Sequence, residues 1–149
     1  MAVRSTAERA RLARERLATE RYVWIATASP DGAPHLVPLA HVWLDDRMVV
    51  ATPSAYPTVR NTAATGRARA ALDGAGDVVS LDCDVEVVAV ADAEASLVDR
   101  FAAAVGWDPR VEPRPWSLLV LTVRRGYAWS GPAEMAGRTI ACDGHWLVD

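Results

Sequence analysis

Met48-Val-Val-Ala-Thr-Pro-Ser-Ala-Tyr-Pro-Thr-Val-Arg-Asn-Thr-Ala-Ala-Thr-Gly66 is the stretch around which the chain is organised. Met48 to Ala51 reads as a short apolar strand that runs into a turn rich in hydroxyls and proline. A short helix follows. Pro57 suits its first turn, where no backbone N–H is needed, and Gly66 suits its stop. Thr52, Ser54 and Thr58 then sit near a helix N-terminus, where free N–H groups and the dipole favour an anion. Arg60 and Asn61 add a planar fork and an amide, which is the chemistry of a phosphate cradle. A capped connector helix with a surface arginine has the same sequence features.

Upstream, Tyr22 to Ser29 alternates, with Tyr22, Trp24, Ala26 and Ala28 on one face and Val23, Ile25 and Thr27 on the other. Pro30-Asp31-Gly32 turns the chain, Ala33 to Leu44 returns as a long second strand, and Asp45-Asp46-Arg47 leads into Met48. These strands predict an antiparallel meander. Pro34 and Pro38 cannot donate to a ladder, so the second strand is bulged, at an edge, or bordered by something other than a strand. A planar ligand beside it accounts for this, and so does a plain edge. Before the meander, Ser5 to Glu20 reads as an amphipathic helix. Its stripe is Ala10, Ala13 and Leu17, and Arg11–Glu15 and Arg16–Glu20 are spaced for ion pairs.

Downstream, Arg67 to Leu72 is a fourth strand with Arg67 and Arg69 on one face. Asp77 to Ala91 has the cleanest period of two: Val79, Leu81, Cys83, Val85 and Val87 alternate with Ser80, Asp82, Asp84 and Glu86, a dry side and a wet one. Asp92 is expected to cap a second helix with Leu97, Phe101 and Ala104 on its apolar stripe and Gly106 at its end. Trp107 to Pro115 reads as a loop, Trp116 to Trp129 as a sixth strand, and the tail from Gly131 shows little periodicity. Six strands joined mainly by turns predict a mainly β fold, a small closed or partly closed barrel with helices over its ends.

The length of 149 residues suits one domain. Its parts are a helix over 1–20, a barrel over 21–130 and a tail over 131–149. No apolar run approaches the roughly 20 residues of a membrane span, and the N-terminal residues lack the hydrophobic centre of a secretory signal. Cys83 and Cys142 fit no metal spacing, so a reducing cytoplasm is expected and no metal site is. A net charge of −3 argues against a nucleic-acid binder. All 16 basic side chains counted as Lys or Arg are arginine. Lysine chemistry, whether a Walker-type phosphate contact or a Schiff base, is excluded, and any bound anion is held by arginine and backbone.

Several segments taken in order are similar to the split-barrel flavin and deazaflavin oxidoreductases, relatives of pyridoxamine 5'-phosphate oxidase. They are Ala28-Ser-Pro-Asp-Gly-Ala-Pro-His-Leu-Val-Pro38, Ala51-Thr-Pro-Ser54, Thr58-Val-Arg-Asn61, Thr65-Gly-Arg-Ala-Arg69, Asp77-Val-Val79, Ala136-Gly-Arg-Thr139 and Asp143-Gly-His-Trp-Leu147. The resemblance implies a six-stranded antiparallel Greek-key split barrel that forms a homodimer with cofactor at the interface. It places Thr52, Ser54, Thr58, Arg60 and Asn61 on the phosphate side, and His35, Leu36, Val37 and Pro38 beside the ring. Trp129, Glu134, Arg138 and Trp146 would come from the partner's C-terminal part and close the pocket. Relatives often carry a lysine in the phosphate segment, which this chain lacks, and Ala141-Cys142 stands where similar sequences commonly have a methionine and a basic residue.

The function so implied is an oxidoreductase in which FMN, or the deazaflavin coenzyme F-420, exchanges hydride with a small unsaturated organic substrate. Arg67 and Arg69 could serve the longer acidic tail of the deazaflavin. No acid or base is assigned. The alternative is a flavin or haem carrier or sensor of the same architecture, with His35, His41 or Tyr56 as the source of an axial ligand. Trp24 and Trp43 read as core or interface, and Ser130 has no triad partners.

Overall fold

A computed structural model describes residues 2–148. Its helices are α1 (Thr6–Thr19), α2 (Pro57–Thr65) and α3 (Ala95–Val105). The strands are β1 (Tyr22–Ala28), β2 (Pro34–Leu44), β3 (Arg47–Pro53), β4 (Arg67–Leu72), β5 (Val78–Ala89), β6 (Trp116–Trp129), β7 (Thr139–Cys142) and β8 (His145–Trp146). All pairings are antiparallel and run in the order β3-β2-β1-β4-β5-β6-β7-β8. An added β3–β6 pairing closes β1 to β6 into a ring. The neighbours β3-β2-β1-β4 form a Greek key, with α2 carrying the chain across to β4. The barrel expected from the sequence is therefore the one observed.

Strand patterning explains which faces are dry. β5 alternates, with Val79, Leu81 and Cys83 inside the barrel among Ile25, Ala70 and Leu119. β3 does not alternate because both its faces are covered: Met48 and Val50 face the barrel core, while Val49 and Ala51 lie under Val98, Phe101 and Val105 of α3. That double burial is why Met48 to Ala51 reads as an unbroken apolar run. α1 places Ala10, Ala13 and Leu17 into the same core, and its Ser5 and Glu8 form a reciprocal capping box. The expected pairs Arg11–Glu15 (2.8 Å) and Arg16–Glu20 (2.6 Å) are present on its outer side. Gly66 (φ 68°) and Gly106 (φ 81°) end their helices in the left-handed region. No described helix is long and apolar enough to cross a membrane.

Two expectations are corrected. Asp92 does not cap α3: it ends a short 3-10 turn, Val90–Asp92, and the helix starts at Ala95 after Glu94. Val90 is buried against the α3 core and the Ala93 N–H is bonded back to Ala89 and Val90, so the chain must unwind once before the helix begins. The tail is also more ordered than its composition implies. It forms the β7–β8 hairpin on the outer end of β6 of its own chain, and buries Ile140 and Ala141.

His41 is buried at 4 % exposure, and its Nε2–H donates to the Leu17 carbonyl at 2.8 Å, since a carbonyl can only accept. Nδ1 is left without a partner among the described residues. Burial therefore holds the imidazole below its ordinary range, outweighing the raising effect of the carbonyl contacts. The unfolded chain takes up a proton near pH 6.5 that the folded chain refuses. Stability is then fully present above that pH and falls as pH drops toward the depressed folded value. Thermal melts from pH 7.5 to 5.5 should show this decline in the wild type, and His41→Gln, which keeps a donor for Leu17 without titrating, should flatten it. An unchanged slope in the variant would assign the decline to other groups.

Candidate functional site

β2 pairs with β1 from Pro34 to Ala40, but with β3 only from His41 to Leu44. β3 meanwhile continues through Ala51, Thr52 and Pro53 against Leu118, Ser117 and Trp116 of β6. The first part of β2 and the last part of β3 thus diverge, and the wedge between them is a cavity of about 540 Å³. Its broad wall is Val37, Pro38 and Leu39, with Ala51 and Pro53 opposite. Polar groups are few: His35, Thr52, Thr58 and Arg114, with the rings of Tyr56 and Trp116 at the same end as Arg114.

The prolines fit this edge. The His41 N–H donates to Arg21 O at 2.8 Å, which turns the odd-numbered N–H groups of β2 toward β1. At Pro34 and Pro38 the missing donors would have faced the free edge, so neither costs a ladder bond, and no unsatisfied N–H from them faces the wedge. A larger depression, about 700 Å³, lies along the outer side of α1 near Trp43. Its charges are spent on one another in the pairs Arg11–Glu15 and Arg14–Asp46, so it offers no convergent set of free polar groups.

Of the residues named from the sequence, His35, Val37, Pro38, Thr52 and Thr58 line the wedge together. The others lie elsewhere in the single chain. Leu36 projects from the opposite face of β2 and is 60 % exposed. Ser54 shares a hydrogen bond with Ser117 (2.8 Å), tying the turn to β6. Arg60 folds back on its own turn and donates to the Ala55 carbonyl at 2.7 Å. Asn61 points into the core, where its Nδ2 donates to Thr27 Oγ1 at 3.1 Å. Arg67 pairs with Asp82 across the β4–β5 register at 2.8 Å. Trp129 ends β6 opposite Val78.

In the tail, Glu134 is buried and accepts from the Arg4 side chain and backbone and from the Ser130 N–H. The Arg4 guanidinium holds that carboxyl well below the usual carboxylate range. Arg138 donates to the Met135 carbonyl at 2.6 Å. Trp146 packs edge-on to Trp43 with ring centroids 6.2 Å apart. His41, although on the same face of β2 as His35, is sealed against α1 and does not reach the wedge. Cys83 is buried in the barrel, which pushes its thiol up to about 12 and keeps it protonated.

Sequence reading missed Arg114 and Trp116. They come from the end of the loop before β6 and from its first residue, far from α2 in the chain, and the Pro53–Trp116 register brings them to Tyr56. The Arg114 Cζ stands 5.3 Å from the centroid of the Tyr56 ring. The Trp116 Nε1 is buried without an acceptor among the described residues. The one local signal was the triplet Pro113-Arg114-Pro115, in which flanking prolines stiffen the backbone that carries the arginine.

The family pattern described as pyridoxamine 5'-phosphate oxidase matches residues 11–130. No curated protein matches the sequence. Among solved structures, a conserved hypothetical protein of Mycobacterium tuberculosis superposes with a TM-score of 0.69 at 19 % identity, over 87 % of this chain and 90 % of that one. A haem-binding protein of Mycobacterium smegmatis gives 0.65 at 22 %, over 97 % of this chain and 60 % of that one. A structure named as an F-420 reductase gives 0.61 at 16 %, over 76 % and 94 %. At these identities the likeness is one of fold.

The position of Asn61 makes it a tie between α2 and β1. Asn61→Ala should lower stability by about 1–2 kcal/mol, the cost of a lost hydrogen bond and a buried hydroxyl left with one partner fewer. Urea denaturation measures this, and a variant as stable as the wild type would release the amide for a ligand.

Proposed function

Because the chain belongs to the pyridoxamine 5'-phosphate oxidase family, we propose that the wedge beside β2 holds FMN or the deazaflavin coenzyme F-420, and that the protein is an oxidoreductase acting on a small unsaturated organic substrate. The observation that carries this reading is the wedge itself. A strand edge from which Pro34 and Pro38 remove two donors forms a largely apolar wall, and the polar side chains that line the wedge are few. That division suits a planar ring with a charged appendage.

When bound, the ring supplies the hydride chemistry. The chain's own part is position and dryness. Val37, Pro38 and Leu39 exclude water from one face of the guest, and His35 stands on the same strand with its ring at the wall. Thr52 and Thr58 offer hydroxyls where β3 leaves for α2, beside the positive end of the helix. Arg60 and Ser54 stand one shell further out. Leu36, Asn61, Arg67, Glu134 and Trp146 would join such a site only by rearrangement or from a second copy. Trp129 and Arg138, on the outer part of β6 and the tail, are the members of the C-terminal set best placed to meet a partner's cavity. The two free thiols, Cys83 and Cys142, suit a reducing compartment, and we assign the cytoplasm.

A second copy is part of the proposal. The outer face of β1 and β2 exposes Tyr22 (58 %), Trp24 (40 %) and Leu36 (60 %) side by side with Pro34 and Pro38, an apolar surface with a use. A homodimer covers it and brings the C-terminal residues of one protomer toward the wedge of the other.

A haem carrier is the second reading. His35 and Tyr56 both line the wedge and either has a ligating atom for iron, whereas His41 is engaged with Leu17.

Two experiments decide among these. Freshly purified protein should show flavin bands, or should be colourless and bind FMN or coenzyme F-420 on titration. A Soret band would favour haem, and failure to bind any of the three would overturn the assignment. Sedimentation should give a dimer for the wild type and a monomer for the double variant Trp24→Glu, Leu36→Glu; a wild-type monomer would remove the second copy from the site.

A further inference from the structure

We infer that Arg114 is the anion anchor of the wedge, binding the phosphate ester of the ring-bearing ligand; this rests on the flavin or deazaflavin reading above. The start of α2, where the sequence places the phosphate, has no cation directed at the cavity. Its wedge-lining residues are Tyr56, Pro57 and Thr58, and Arg60 is turned onto the Ala55 carbonyl. Arg114 is the arginine that lines the wedge, and it reaches the same place from the opposite side.

Three features make it an anchor and not an ordinary surface charge. First, the Arg114 Cζ lies over the Tyr56 ring at 5.3 Å from its centroid, a contact that leaves the N–H groups free for an anion. Second, no carboxylate among the described residues pairs with it. The nearby Glu112 is engaged by the Trp107 indole N–H at 3.0 Å, and Arg110 is drawn off by Asp99 and Asp108. Third, its backbone is fixed on both sides by Pro113 and Pro115, and the Pro115 carbonyl is pinned by the Ser54 N–H at 3.0 Å. Little backbone freedom is therefore lost when this arginine closes on a phosphate. The Trp116 ring lines the wedge beside it. An arginine from the loop before β6 thus does the work that a lysine-free α2 segment leaves undone.

FMN and riboflavin differ only in the phosphate, so their affinity ratio isolates the anchor. The wild type should bind FMN more tightly than riboflavin. Arg114→Gln should weaken FMN by about ten- to a hundredfold, the range for a charge-assisted hydrogen bond, and leave riboflavin unchanged. Arg114→Lys should recover part of the loss. If the wild type prefers coenzyme F-420, the same comparison is made between it and its phosphate-free deazaflavin. Arg114 is exposed, so an unchanged melting temperature is expected and checks the fold. A ratio preserved in Arg114→Gln, or abolished in Arg60→Gln instead, overturns this inference and leaves the flavin reading standing. A wild type that binds neither ring overturns both.

Discussion

The pairing of β3 with β6 is the contact on which both the barrel and its cavity depend. From Met48–Leu121 to Pro53–Trp116 the two strands run side by side, and this closes the ring that β1, β2, β4 and β5 leave open. Met48 to Val50 pair with β2 on one edge and β6 on the other, but beyond Val50 only the pairing with β6 continues, to Pro53. Closure on one side thus sits beside a split on the other. The closure is held by apolar burial on both faces of β3, by Met48 and Val50 toward the barrel and by Val49 and Ala51 toward α3. Each such side chain contributes on the order of 1.5–3 kcal/mol if fully removed from water. The cavity thus adjoins a strand that is anchored on both faces.

How much of this was legible in the sequence depends on how far each feature is set by neighbours along the chain. The period of two in β5, the apolar run of β3 and the glycine stops of α2 and α3 are local, and the strands β4 and β6 carry the bounds their patterns imply. The strands β7 and β8 were invisible because four and two residues are too few to show a period. Arg60 and Asn61 illustrate a different limit. Adjacent on α2, they point about 100° apart. Which of them faces the core is decided by how α2 sits against Thr27 of β1, a fact of packing that the segment does not contain. Pattern reading could find the helix start and could not find its rotation.

Charge placement follows the same rule. With no lysine, the chain allots its arginines one by one. Arg4 goes to Glu134 and Asp77, Arg14 to Asp46, Arg67 to Asp82, Arg100 to Asp45, and Arg110 to Asp99 and Asp108. Most of these pairs join different elements, and in water each contributes little to stability. Their larger effect is selective. They use up carboxylates that would otherwise compete for the remaining arginines, of which Arg60, Arg69, Arg114 and Arg138 carry no ion pair among the described residues.

Arg114 is such a residue, and its position turns the general point into a local one. A flexible cation in a cavity would find a backbone carbonyl, as Arg60 does at Ala55. Arg114 instead lies over the Tyr56 ring, on a backbone that Pro113 and Pro115 stiffen. Its register is set in turn by the β3–β6 pairing, because Trp116 is the residue opposite Pro53. The strand pair that borders the wedge therefore also sets where the charge at its end stands. A change that shifts the β3–β6 register by a residue would move Arg114 relative to the Ala51 and Pro53 side of the wedge, while the Val37 to Leu39 wall stays with β1.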